Sequence, residues 1–132
     1  MKQEQKDSWL RRMGKKYQIP AQTLNKMLKR DRLCVYCHKI MVLPKKGAKQ
    51  RDWITIEHMA DRASGNNDKT IALCCGRCNS SRRMSFEKWF KTPYCINRGI
   101  NKKSVAEPVK AYLKMIARLN PKDLKKYIIK NY

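Results

Sequence analysis

Acidic residues are scarce in this chain: ten Asp and Glu stand against thirty-two Lys and Arg over 132 residues, a formal net charge of +22. A chain this small carries so much self-repulsion only to work against a polyanion, and nucleic acid is the first candidate. Long apolar runs are also missing. The longest, Ile71 to Cys75, is far short of the ~18 residues of a membrane span, and the first ten residues are polar where a secretory signal is apolar. No membrane association is expected, and the location expected is intracellular, either cytoplasmic or nucleoid-associated. Repeats and low-complexity tracts are absent, and a hydrophobic content of 42% excludes a disordered basic tail. The length fits one domain, read as residues 1–132.

The basicity is a property of the whole surface. Residues 1–33 hold 10 basic and 3 acidic side chains, 34–83 hold 10 and 4, and 84–132 hold 12 and 3. No cationic appendage is attached to a neutral body.

Residues 1–33 read as a basic helical arm of two helices. Trp9, Met13 and Tyr17 recur at i, i+4 and i+8, with Gly14 weakening the pattern, and Leu24, Met27 and Leu28 resume it after Pro20. Further on, Ile40 to Leu43 and Trp53 to Glu57 are short strand-like runs around Pro44, Lys45, Lys46, Gly47 and Ala48, which predicts a hairpin with a basic loop. Asp61 to Lys69 reads as a polar loop. Thr70 to Cys74 reads as a second strand leading into a helix over Gly76 to Phe90. In the stretch 92–132, Val105, Val109, Tyr112, Leu113, Ile116 and Leu119 trace one apolar stripe, and Asn120-Pro121 signals a last helix to about Ile129. The fold class expected is α+β.

Cys34-Val35-Tyr36-Cys37 and Cys75-Gly76-Arg77-Cys78 each set two thiols at the spacing that lets both sulfurs bind one tetrahedral ion. Together they form a four-thiolate site, and structural Zn²⁺ is favoured over free buried thiols or a redox pair. Such a metal contributes directly to folding, on the order of 10 kcal/mol in small modules. Cys74 competes with Cys75 as a ligand; the spacing favours Cys75 and turns Cys74 into the core. Cys95 also reads as core.

Between Cys37 and Cys75 lie 37 residues, well beyond the ~15–20 of a plain four-cysteine finger. This insertion carries Glu57-His58. Of the chain's two histidines, His38 is too close to Cys37 to serve as a further ligand, which leaves His58 as the available imidazole. An imidazole beside a carboxylate supplies a base near neutral pH and an oxygen donor for a hard cation. The bland alternative is a core histidine, because strict alternation puts His58 on one strand face with Ile54 and Ile56, and Glu57 on the other with Trp53 and Thr55. Asn79 follows the last cysteine of the pairs, and Arg82 and Arg83 lie three and four residues on. An amide oxygen can ligate Mg²⁺, and guanidinium groups can clamp phosphate.

The ordered set Cys34-x-x-Cys37, Glu57-His58 and Cys75-x-x-Cys78-Asn79-Ser80-Ser81-Arg82 resembles the HNH, or ββα-metal, endonucleases, in the branch with a four-cysteine zinc. The resemblance covers about residues 33–90. It implies a small ββα-metal finger at 34–91 pinned by zinc and flanked by terminal helices. It also implies a DNA endonuclease or nickase with His58 as general base and one Mg²⁺ or Mn²⁺ held by Glu57 and Asn79. Two departures stand out: Glu57 replaces the family's usual Asp, and the family's middle Asn falls near Thr70, with Asn66 and Asn67 lying earlier. The layout is also similar to junction-resolving endonucleases of the recombination endonuclease VII type. Backbone contacts to DNA are expected from Arg82, Arg83, Lys45, Lys46, Lys49 and Arg51. A non-catalytic zinc module binding nucleic acid is the main rival reading. Oligomeric state is not legible.

Overall fold

Two amphipathic segments open the chain and pack on each other. In the computed structural model, which describes residues 2–60 and 66–125, they form α1 (Gln3–Tyr17) and α2 (Ala21–Arg30). Trp9 from α1, Leu24 and Met27 from α2, and Ile19 between them are buried. Gly14 does not break α1. The Ile19 carbonyl approaches it so closely that a Cβ would lie 2.9 Å from that oxygen, and Gln18, in the left-handed region at φ 54°, turns the chain there.

The centre is a two-stranded antiparallel sheet, β1 (Ile54–His58) and β2 (Ile71–Cys75), in the register Ile54↔Cys75 through His58↔Ile71. It runs directly into α3 (Gly76–Ser81). The expected hairpin between Ile40–Leu43 and Trp53–Glu57 is therefore replaced by a pairing of β1 with β2. The earlier run makes only isolated bridges, Leu33↔Ile40 and a parallel Val42↔Trp53. Burial explains the choice: all five residues of β2 are buried, so it packs on both faces, whereas Ile40 lies exposed.

Two strands alone are marginal, and their outer edges carry unpaired backbone groups. Here both edges are occupied. Along β2, the Leu73 N–H donates to buried Asp31 Oδ2 at 2.9 Å, and the Leu73 carbonyl accepts from Val35 N–H. Arg30 holds Asp31 and donates to the carbonyls of Asp68 and Ile71. Along β1, the Ile54 N–H donates to the Val42 carbonyl, and side chains of α3 and beyond bond the carbonyls of Ile56, His58 and Met59.

The helix expected over Gly76 to Phe90 is two helices, α3 and α4 (Phe86–Trp89), because Ser85 caps a new start by accepting from Lys88 N–H. Next come α5 (Pro93–Arg98), capped by Thr92, and α6 (Glu107–Ala117), which buries Val109 and Tyr112 of the expected stripe. Asn120 caps α7 (Pro121–Leu124) as its sequence predicts. The rest of that helix, to Ile129, and positions 61–65 of the polar loop lie outside the described residues. An aromatic cluster of Tyr36, Phe86, Trp89, Phe90 and Tyr112 joins the helices after α3 to the first C-x-x-C turn, with Tyr36 and Trp89 rings 4.8 Å apart.

The fold is mixed helix and sheet, as expected. Gly76 is the tightest joint: a Cβ there would press into the Gln50 carbonyl of the 3-10 turn Gln50–Asp52. Gly76→Ala should force that turn and α3 apart and lower stability by about 1–3 kcal/mol. A fall in the thermal midpoint of the metal-loaded variant, followed by circular dichroism, checks this.

Candidate metal centre and cationic groove

The two C-x-x-C turns are built differently but deliver their sulfurs to one place. The first is closed by His38, whose φ of 64° lets its N–H return to the Cys34 carbonyl at 2.9 Å, while Cys34 N–H donates to the Lys39 carbonyl. The second uses the start of α3, with Cys75 as N-cap and its Sγ accepting from Cys78 N–H. The Sγ atoms of Cys34, Cys37, Cys75 and Cys78 all lie within 4.8 Å of one another, and those of Cys37 and Cys75 are 3.9 Å apart. Zn–S bonds of ~2.3 Å put the sulfurs of a tetrahedral site about 3.8 Å apart, so four thiolates in this arrangement fit one structural metal such as zinc.

Hydrogen bonding within the cluster already separates the thiols. Bonding to Cys34 first, and to other members of the cluster, pulls Cys37 well down and Cys75 to about 7. The bond with Cys37 pushes Cys34 up, and the bond with Cys34 pushes Cys78 up. Tyr94, which the spacing of the motifs does not single out, places its hydroxyl 3.1 Å from Cys78 Sγ. Cys74 points away from the cluster toward Thr55 and is buried, and Cys95 is buried too, both as expected. His38 is not part of the cluster; its Nε2 meets the Ser104 carbonyl.

Beside this centre an open groove of about 930 Å³ runs between the 3-10 turn, β1 and α3. Arg51, Arg77 and Arg83 reach it with exposed side chains, and Trp53, Thr55 and Asn79 also line it. Among the described residues, none that lines it is acidic. Arg77 is not among the expected DNA contacts, although its place inside the second C-x-x-C was signal enough that it must leave the turn on one side or the other. Asn79 Nδ2 donates to Thr55 Oγ1 at 2.9 Å and to the Ile56 carbonyl at 3.2 Å, fixing its amide against β1. No family model, no curated protein and no solved structure matches this chain. The site is therefore read from its own geometry.

That geometry corrects two expectations. Arg82 is not a phosphate clamp: it is buried, donates to the carbonyls of His58 and Met59, and pairs with Glu57. Glu57 is not an open metal ligand. It is 4% exposed, and its Oε2 accepts from Tyr36 OH at 2.6 Å and lies 3.3 Å from Arg82 Nη1. Burial pushes its carboxyl up from the usual range, against the pull of Arg82 and Tyr36. Glu57 and Asn79 consequently do not fit one shared catalytic ion, since the carboxylate is engaged inside the protein while Asn79 lines the groove.

β1 runs regularly through His58, so the alternation holds. His58 is half-buried at the end of the strand with its ring 5.1 Å from that of Tyr17, while Thr55 and Glu57 meet Asn79 and Arg82 from the other face. The strand thus separates His58 from Asn79. Thr70 accepts from Asn67 N–H through Oγ1, and Asn66 Nδ2 donates to the Tyr17 carbonyl. Lys45, Lys46 and Lys49 are exposed on the loop before the 3-10 turn and do not line the groove, whereas Arg51 and Arg83 do.

The metal assignment has a direct consequence. Protein folded with Zn²⁺ should carry one ion per chain, and Cys37→Ser or Cys78→Ser should lose it together with the cooperative thermal transition. Cys95→Ser should keep the ion. Metal content by mass spectrometry alongside a thiol-displacement assay reads all three.

Proposed function

We propose that the protein is a DNA-processing protein of the HNH pattern, a ββα-metal finger pinned by structural zinc that grips the DNA backbone in the cationic groove on one face of β1 and hydrolyses a phosphodiester where the DNA passes the end of β1 to meet His58 on its other face. The observation that carries this reading is the bond from Asn79 to Thr55 and Ile56. It ties the helix residue that follows the last cysteine of the pairs to the strand that bears Glu57-His58, beside a groove whose charged residues are all arginines.

The division of labour follows from the side chains. Arg51, Arg77 and Arg83 bind phosphate oxygens and hold the backbone, a contribution without sequence information. His58 takes the proton from the attacking water, as an imidazole general base. Asn79 keeps α3 in register with β1. Products carry 5′-phosphate and 3′-hydroxyl ends. Glu57 holds the strand end from inside and does not reach the DNA.

A second reading, binding without cleavage, is favoured by the internal pairing of Glu57 with Arg82 and Tyr36, which leaves that acid no part in chemistry. The two readings part on a supercoiled plasmid in Mg²⁺. Under the first, wild-type protein nicks it and His58→Ala loses activity by about 10²–10⁴-fold, the usual worth of a general base, while still binding DNA. An intact plasmid under conditions of demonstrated binding establishes the second. Binding itself should weaken steeply with salt, and Arg77→Gln with Arg83→Gln should reduce the log–log salt slope by about 2, at ~0.9 for each phosphate no longer neutralised. Fluorescence anisotropy on a duplex at several salt concentrations measures that slope.

A further inference from the structure

Glu57 is an acid in a chain with few of them, and it is placed where solvent does not reach. Its side chain is 5% exposed and that of its partner Arg82 is 1% exposed. A buried carboxylate needs a compensating charge and donors for its oxygens. Arg82 supplies the charge and Tyr36 a donor, both at the same Oε2.

The two terminal nitrogens of the guanidinium are engaged as well. Nη1 donates to the His58 carbonyl and Nη2 to the Met59 carbonyl, each at 3.2 Å, and its carbon lies 3.6 Å from the Phe86 ring centroid, in cation–π range. One planar cation therefore neutralises the strand's acid and bonds the two carbonyls at the strand's exit. A divalent ion would have to do the same with oxygen ligands and retained water, in a space closed by an aromatic ring and a guanidinium.

We propose that Arg82 is a built-in cation standing where a divalent ion would otherwise be needed, so that Glu57 binds no exogenous metal in the native protein. The strand end is held by an internal ion pair, and it stays formed in the presence or absence of Mg²⁺ or Mn²⁺. This inference is independent of whether the protein cuts DNA. It concerns which cation Glu57 serves.

Paramagnetic broadening by Mn²⁺ tests it on the full-length, zinc-loaded chain. In the wild type, substoichiometric Mn²⁺ should leave the backbone amides of Ile56, Glu57 and His58 unbroadened, and Glu57→Gln should change nothing in the broadening pattern. Arg82→Gln frees the carboxylate and should raise Mn²⁺ affinity at those amides at least tenfold, a gain abolished in the Arg82→Gln/Glu57→Gln double variant. Wild-type broadening centred on Glu57 and lost in Glu57→Gln would overturn the proposal, as would a folded Arg82→Gln protein with no gain. Should Arg82→Gln not fold, the wild-type measurement decides by itself, because it needs no substitution.

Discussion

Four sulfurs must meet at one point, and the rest of the chain is arranged around that requirement. Cys34 and Cys37 come from the turn after α2, and Cys75 and Cys78 from the joint of β2 and α3, so their meeting closes a loop of 37 intervening residues. Closing a loop costs chain entropy, and a surface at +22 resists compaction further. A metal bound by four thiolates offsets both at once, since its binding free energy is folding free energy. The same closure lays the first turn along the outer edge of β2, where Val35 N–H finds the Leu73 carbonyl. A two-stranded sheet is thereby made self-sufficient.

The scarcity of acids takes on a structural meaning beside this four-cysteine cluster. Asp31 holds the edge of β2, Glu57 compensates Arg82, Asp52 pairs with Lys39 and Asp68 with Lys26. Four of the chain's ten acids are thus committed to joints between segments, and two of them are buried. Among the described residues none is left to line the groove, whose exposed arginines therefore act without acidic neighbours in its walls. The same division separates Arg82 from Arg83: neighbours in sequence, one neutralises the interior and the other faces solvent.

Much of this was legible in the residues, and the exceptions share a cause. The four-cysteine set, the fate of Cys74 and Cys95, the Asn120 cap and the helical character of the described segments before and after the sheet follow from local spacing, where neighbours along the sequence decide the outcome. The pairing partner of β1 was not legible, because Ile40–Leu43 and Ile71–Cys75 are both short apolar runs. Only burial on two faces distinguishes them, and that is a tertiary property. Glu57 and Arg82 looked like site residues because charge type and spacing carry no information on depth. Tyr36 decides the depth of Glu57, and its role depends on a strand 21 residues away.

The two C-x-x-C turns show how one motif yields two results. Each places two residues between its cysteines, and each turn therefore has a side chain free to go inward or outward. Tyr36 goes inward, stacks edge-on against Trp89 and donates to Glu57, so the first turn is the anchor of the core. Arg77 goes outward into the groove, and its neighbour Gly76 lets the Gln50 backbone come close enough to form the opposite wall. Core and cationic groove are thus the two sides of a single four-cysteine cluster. Tyr94 of α5 meets that cluster at Cys78 Sγ. The groove's width depends on the close approach at Gly76, and the attitude of β1 depends on the Tyr36–Glu57–Arg82 chain, so groove and strand end are linked through the two cysteine turns and through Arg82, which borders both.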